Sequence, residues 1–223
     1  MLTRRAALTA LAGLAATPGA RAQTFPSRPI TIVVPYPAGG PVDVTARLIA
    51  QSVGNSLGQP IAVDNRGGGA GVIGSVAVQH AEPDGHTLIL GTNQTHATNQ
   101  SLLKNCPYDA MKDFAPVAGI ADIPHVLVVR KGLDVADAAA LVALPKRSPG
   151  QLNYASTGVG SASHLAAELF KTKAGVELQH IPFRGSAPMT TELLAGRVDL
   201  TFATLPSVIT HIDADSIRAA WPR

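Results

Sequence analysis

A single cysteine, Cys106, stands in the 223 residues, so no disulfide can form within the chain. An oxidising compartment tolerates that when the core is large enough. A thiol nucleophile needs a nearby base and an electropositive setting. Cys106 lies between Asn105 and Pro107 with neither, which points to a structural role. Charge is scarce, at 15% of residues, and aromatics make up only 4%. With 46% hydrophobic residues, the chain has ample material for a core and is not a charged, disordered polymer. No segment is long and apolar enough to read as a membrane helix. The seven histidines follow no metal-binding spacing, since H-E-x-x-H is missing and no second cysteine exists. No Gly-Lys-Ser/Thr occurs either, which argues against a phosphate-transfer loop. Neither a metal nor a cofactor is expected.

The formal net charge of +3 is misleading. Arg4, Arg5 and Arg21 fall within residues 1–22, which contain no acid. Without that segment 15 basic residues balance 15 acidic ones, leaving no electrostatic footprint for nucleic acid or an anionic membrane. Residues 1–22 read as a signal peptide. Arg4-Arg5 is its charged start, and Ala6 to Thr17 is an apolar stretch too short to span a bilayer. Ala20-Arg21-Ala22 is an A-x-A cleavage site, so the mature chain begins at Gln23 and is periplasmic. The twin arginines fit the folded-protein export route only loosely, and an ordinary secretory signal fits as well.

Short apolar runs then alternate with helical patterns. Ile30 to Val34 is β-branched and reads as a buried strand. Val44, Leu48, Ile49, Val53 and Leu57 recur at helical spacing, with Pro41 in the first turn and Gly58 as the stop. Strands are expected at 61–63, 87–90, 116–120, 126–129, 152–156, 177–181, 198–202 and from Ser216 to Trp221. Helices are expected at 72–81, 135–144, 162–173 and from Ser186 to before Gly196. Such alternation implies an α/β fold with parallel sheets. Residues 23–120 form a first lobe and 121–223 a second, with the crossover between Phe114 and His125.

Ligands of such folds sit beyond the carboxyl ends of the strands. Two loops qualify. In Pro37-Ala38-Gly39-Gly40-Pro41-Val42-Asp43 the glycines let a ligand approach the backbone. The following helix aims its free N–H groups at the same spot, which favours an anion. Asp43 either caps that helix or accepts from a ligand ammonium; a plain capped turn fits the residues equally. Tyr154 to His164 repeats the design, adding the hydroxyls of Ser156, Thr157 and Ser161 to Gly158 and Gly160, with His164 in the first helical turn. Together the loops make a pincer for a small carboxylate. An exported serine hydrolase using Ser156 or Ser161 with His164 is the alternative, although no third, orienting residue is evident. Gly54 to Gly58 matches a nucleophile elbow but ends a helix. Gly69 to Gly74 matches a dinucleotide fingerprint, yet no acid follows about twenty residues on, so packing or turning suits it better.

Several spaced pieces carry a resemblance: Pro35-Tyr36-Pro37-Ala38-Gly39-Gly40 with Asp43 and Ala46-Arg47; Asp64-Asn65-Arg66 and the glycines to Gly74; Asp84-Gly85-His86-Thr87-Leu88; Asp113-Phe114-Ala115-Pro116-Val117; Pro149 to His164-Leu165; Ile181-Pro182-Phe183-Arg184-Gly185-Ser186-Ala187-Pro188; and Gly196-Arg197-Val198-Asp199. In this order the chain resembles the Bug family, the extracytoplasmic substrate-binding proteins of tripartite tricarboxylate transporters. The resemblance implies a two-lobed, Venus-flytrap, type II periplasmic-binding-protein-like fold. It implies a protein that binds a di- or tricarboxylate, an amino acid or a ring acid and that serves membrane transporter subunits; a monomer is expected. It implies that Pro37 to Gly40 and Ser156 to Ser161 hold the solute through backbone groups and water, with Asn93 and Thr95 also lining the cleft. Arg184, Gly185 and Asp199 are matched positions. Gly67 stands where the family usually has proline. Family members also run past Arg223 and return to the first lobe, so the expectation is a truncated chain with an incomplete first lobe, from a gene fragment or a frameshift. Solute sensing for a membrane signalling partner is a third possibility.

Overall fold

The computed structural model describes residues 24–135, 137–147 and 150–220. The expected signal peptide and Trp221 lie outside the described residues.

Strand β1 (Ile30–Val34) is the middle strand of a three-stranded parallel sheet, flanked by β2 (Ile61–Asn65) and β3 (Thr87–Ile89). A central position explains its unbroken β-branched run: both of its faces are covered. Helix α1 (Pro41–Leu57) starts at Gly40 in extended conformation, takes Pro41 into its first turn, and ends at Gly58 with φ +65°. These stop signals were plain in the sequence. Ile32, Val34 and Ala46 form the small core, supported by Val42, Ile49, Ile61, Val63, Leu88 and Leu90.

The glycine run turns through a short 3₁₀ segment (Gly69–Gly71) into α2 (Val72–Gln79). A Cβ at Gly74 would sit 3.0 Å from Arg66 O and from Pro35. That close approach is the packing reason for the dinucleotide-like glycine pattern. After β3 the chain enters a π-helical stretch (Gln94–Thr98) continued by α3 (Asn99–Leu102). No helix was expected there.

Residues 115–124 cross to the second sheet without helix or strand. The strand expected at 116–120 is absent: Val117 is 80% exposed and Pro116 has no N–H to give a ladder. The second sheet has the order β6-β5-β7-β4-β8. Its strands are β4 (His125–Arg130), β5 (Asn153–Ser156), β6 (Gln179–Pro182), β7 (Leu200–Thr204) and β8 (Ile217–Ala219). Its helices are α4 (Ala138–Arg147, running past Pro145), α5 (Ala162–Ala174), α6 (Ser186–Leu194) and α7 (Leu205–Asp213). The all-parallel expectation fails here. β4 runs antiparallel to both β7 and β8, because it enters from the crossover rather than from a preceding strand–helix unit.

The alternation of side chains along β4 divides the second core. Val129 packs with Leu141, Tyr154, Ala167 and Leu200 on one face. Val128 packs with Ala155, Met189, Leu193 and Val208 on the other.

Candidate functional site: a crevice between two sheets

Four loops leave the carboxyl ends of β1, β3, β5 and β6, and they meet. Gln94 Nε2 donates to Val159 O across the two lobes (3.0 Å). Gln94 Oε1 accepts from Tyr36 OH (3.2 Å), which also pairs with Thr92 Oγ1 (2.6 Å). A Cβ at Gly185 would lie 3.7 Å from Pro37, and one at Gly158 would lie 3.7 Å from Phe183 O. The loops after β1 and β5, far apart in sequence, therefore border one crevice.

In the first loop Pro37, Ala38 and Gly39 are exposed, and Gly39 has φ +82°. Asp43 is 3% exposed and acts as a cap. Its Oδ2 accepts from Gly39 N (2.9 Å) and from Arg47 Nε (3.0 Å). The Arg47 hydrogen bond, aided by Gly39 N–H and opposed by burial, holds this carboxyl below its ordinary value. Arg47 continues to Asn65 Oδ1, and Asn65 Nδ2 donates to Tyr36 O. The loop is thus tied to β2, and the Asp43 charge is matched within the lobe. The N–H groups of Ala38, Gly40, Val42 and Asp43 form no hydrogen bond among the described residues. Those of Gly40, Val42 and Asp43 are the orphan donors of a helix start.

The second loop is cross-linked internally. Ser161 caps α5, accepting from His164 N (3.3 Å), and its hydroxyl donates to Gly158 O (2.7 Å). Thr157 N donates to Ser163 Oγ (2.9 Å). Gly160 N donates to His164 Nδ1 (3.2 Å). Ser156 is fully buried, and its Oγ lies 2.6 Å from His180 Nε2. The hydroxyls of Ser156 and Ser161 are therefore spent on shaping the loop. The N–H groups of Val159, Ala162 and Ser163 remain without a partner among the described residues. Asn93 is exposed at the mouth. Thr95 is buried and bonds Thr92 N and His96 Nδ1, steadying the helical stretch.

Sequence reasoning did not find Tyr36, Gln94 or His180 as site-forming groups. The His180 ring stacks on Tyr154 (4.8 Å) and against His164 (4.4 Å). Burial, with a further push from His164, lowers the His180 pKa. Tyr154 OH donates to Glu168 Oε1 (2.5 Å), which Lys171 also holds. Burial, then the Glu168 charge, raises the Tyr154 pKa well above its ordinary value. The strand register that sets His180 opposite Tyr154 is the signal that could have paired them.

This geometry does not assemble a hydrolase. Ser161 meets the His164 amide rather than its ring. Ser156 meets His180 but is inaccessible, and Glu168, the nearby carboxylate, is engaged by Tyr154 and Lys171. No described group of three or more His, Cys, Asp and Glu could hold a metal. Among the described residues no helix is long and apolar enough to cross a membrane.

Two α/β sheets facing across a crevice of strand-end loops define a periplasmic-binding-protein-like fold. The family model described as "Tripartite tricarboxylate transporter family receptor" matches residues 45–221, and the chain belongs to this family. It is similar to the UPF0065 protein of the tcbD-tcbE intergenic region of Pseudomonas sp. strain P51, with 41% identity over 97% of this chain and 65% of the relative. It is also similar to Protein BugT of Bordetella pertussis, with 40% identity over 94% of this chain and 64% of the relative. The chain thus spans about two thirds of the length of these relatives. Among solved structures, R. palustris Rpa4515 with adipate superposes with a TM-score of 0.85 and 42% identity, covering 87% of this chain and 65% of that one. MatC from Rhodopseudomonas palustris with bound malate gives 0.82 and 34%, covering 88% and 67%.

Proposed function

We propose that this protein captures a small carboxylate in the crevice and delivers it to the membrane subunits of a tripartite tricarboxylate transporter. The observation that carries this reading is the pair of helix starts at Gly40 and Ser161, each presenting N–H groups with no other partner among the described residues. Such donors, backed by the helix dipoles, favour an anion without any basic side chain. The adipate and malate bound by Rpa4515 and MatC support a dicarboxylate as the solute. Export by the 1–22 signal, residence in the periplasm, lobes divided near residue 120 and action as a monomer belong to the same reading. Pro37, Ala38, Gly39, Gly40 and Asp43 form one jaw. Thr157, Gly158, Gly160, Ser161 and His164 form the other, with Asn93 at the side; Ser156 and Thr95, both buried, shape the jaws from beneath.

Calorimetric titration with a panel of carboxylates, including adipate and malate, tests the reading. Saturable binding of at least one, with no binding of its neutral diamide, is expected. Absence of heat and of thermal stabilisation across the panel overturns it.

A further inference from the structure

We propose that Gln94 is a positioning residue of this crevice, gripping the Val159–Gly160 peptide of the opposite lobe so that the jaws close in register. The proposal rests on the solute-site reading above and adds to it the residue that joins the two jaws.

Gln94 is 4% exposed, and both ends of its carboxamide are committed. A carbonyl can only accept, so Val159 O requires the amide nitrogen to face it. At the other end Tyr36 OH donates to Oε1, with the Tyr36 hydroxyl set by Thr92. A flip would set Oε1 against Val159 O and lose that bond, so the amide is held in one orientation. The peptide it holds is gripped from the other edge as well, by His164 Nδ1 at Gly160 N. One peptide unit thus connects the two lobes, its oxygen to the first and its N–H to the second. Among the described residues Gln94–Val159 is the one hydrogen bond that runs between residues before and after 120. The fit around it is tight. Gly160 has φ +80°, and a Cβ there would meet Leu102 Cδ2 at 2.5 Å. Next to this peptide stands the unpartnered Val159 N–H, so fixing the peptide also fixes a donor at the crevice.

The test uses the full chain with Cys106→Ser and spin labels at Gln51→Cys and Lys173→Cys, one on each lobe. Interlobe distance distributions are recorded with and without adipate as the probe. Gln94→Leu is expected to move the solute-free distribution to longer distances and to speed adipate dissociation roughly tenfold, the loss of about one buried hydrogen bond. Gln94→Glu places a carboxylate against a carbonyl, so it is expected to open the lobes at neutral pH. It should close them again near pH ~4, where the carboxyl regains a proton to donate. Gln94→Leu cannot recover in this way and serves as the control at both pH values. Wild-type distributions in both variants overturn the proposal, as does a Gln94→Glu protein that stays open in acid like Gln94→Leu. If no carboxylate binds the wild-type protein while the distances follow Gln94 as expected, the latch stands and the solute reading fails.

Discussion

Asn153 and Asp199 hold each other by both their side chains and their backbones. Asn153 N donates to Asp199 Oδ2 (2.9 Å), and Asp199 N donates to Asn153 Oδ1 (3.0 Å). The remaining Asp199 oxygen accepts from Arg130 Nε (2.8 Å). This pair lies at the opposite end of β5 from the crevice and locks β5 beside β7, so the loop after Ser156 starts from a fixed point. Asn153→Ala keeps the backbone bond to the Asp199 carboxylate but leaves the Asp199 N–H without its acceptor, and is expected to cost about 1–3 kcal/mol. Urea unfolding of the variant checks this.

The glycines of the two jaws should respond differently to alanine. Gly39 has φ +82° with nothing within 4 Å of a Cβ, so Gly39→Ala meets only backbone strain, about 1–2 kcal/mol. Gly160 has φ +80° and also meets Leu102. Gly160→Ala is therefore expected to destabilise more than Gly39→Ala, and to weaken solute binding by parting the lobes. Parallel thermal melts and titrations compare the two.

Much of the fold was legible because punctuation and pattern agreed. Pro41, Gly58 and Gly175 stand at the helix ends where they were expected, and β1 is as buried as its run of Ile and Val suggests. The stretch Gln94 to Leu102 was not legible. Gln94, Thr95 and Asn99 are buried polar residues, and their partners (Val159, Thr92 and Tyr108) lie in other segments or turns. Hydrophobic periodicity cannot register a face held by hydrogen bonds. Helix α7 was missed as well, although Pro206 stands in its first turn. The false strand at 116–120 shows the converse: an apolar run without a sheet to join stays irregular. For the site, the sequence indicated the two loops but not which hydroxyls the loops use for themselves.

His180 should make stability depend on pH. Its pKa is lowered in the folded state, chiefly by burial, so the unfolded chain binds its proton more readily. Stability is then complete above the unfolded value of about 6.5 and declines as pH falls through the lower folded value. The half-buried His96 and the more exposed His125 are shifted in the same direction. His180→Gln keeps a partner for Ser156 but cannot titrate. Its melting temperature is expected to fall less between pH 7 and pH 5 than that of the wild-type protein.

Asp43 acts at lower pH. Its carboxyl is held down first by the Arg47 hydrogen bond, so its contribution is present above the ordinary carboxylate range and is lost as pH falls through the folded value. Asp43→Ala removes the bond to Gly39 N and leaves Arg47 without its partner. A cost of roughly 1–2 kcal/mol at pH 7 is expected, vanishing in acid, where the wild-type protein has lost the same contact. Denaturant midpoints for both proteins, followed from pH 7 down into the acid range, measure the difference.

Carboxylate affinity, titrated for a solute drawn from the panel in Arg184→Gln, Gly39→Val and Gly158→Val, most directly asks whether backbone groups alone hold the anion. Arg184 is exposed beside Gly185 at the mouth of the crevice. Affinity near the wild-type value in Arg184→Gln, with marked loss in both folded glycine variants, is the predicted result. Loss in Arg184→Gln with binding intact in Gly39→Val and Gly158→Val would contradict it.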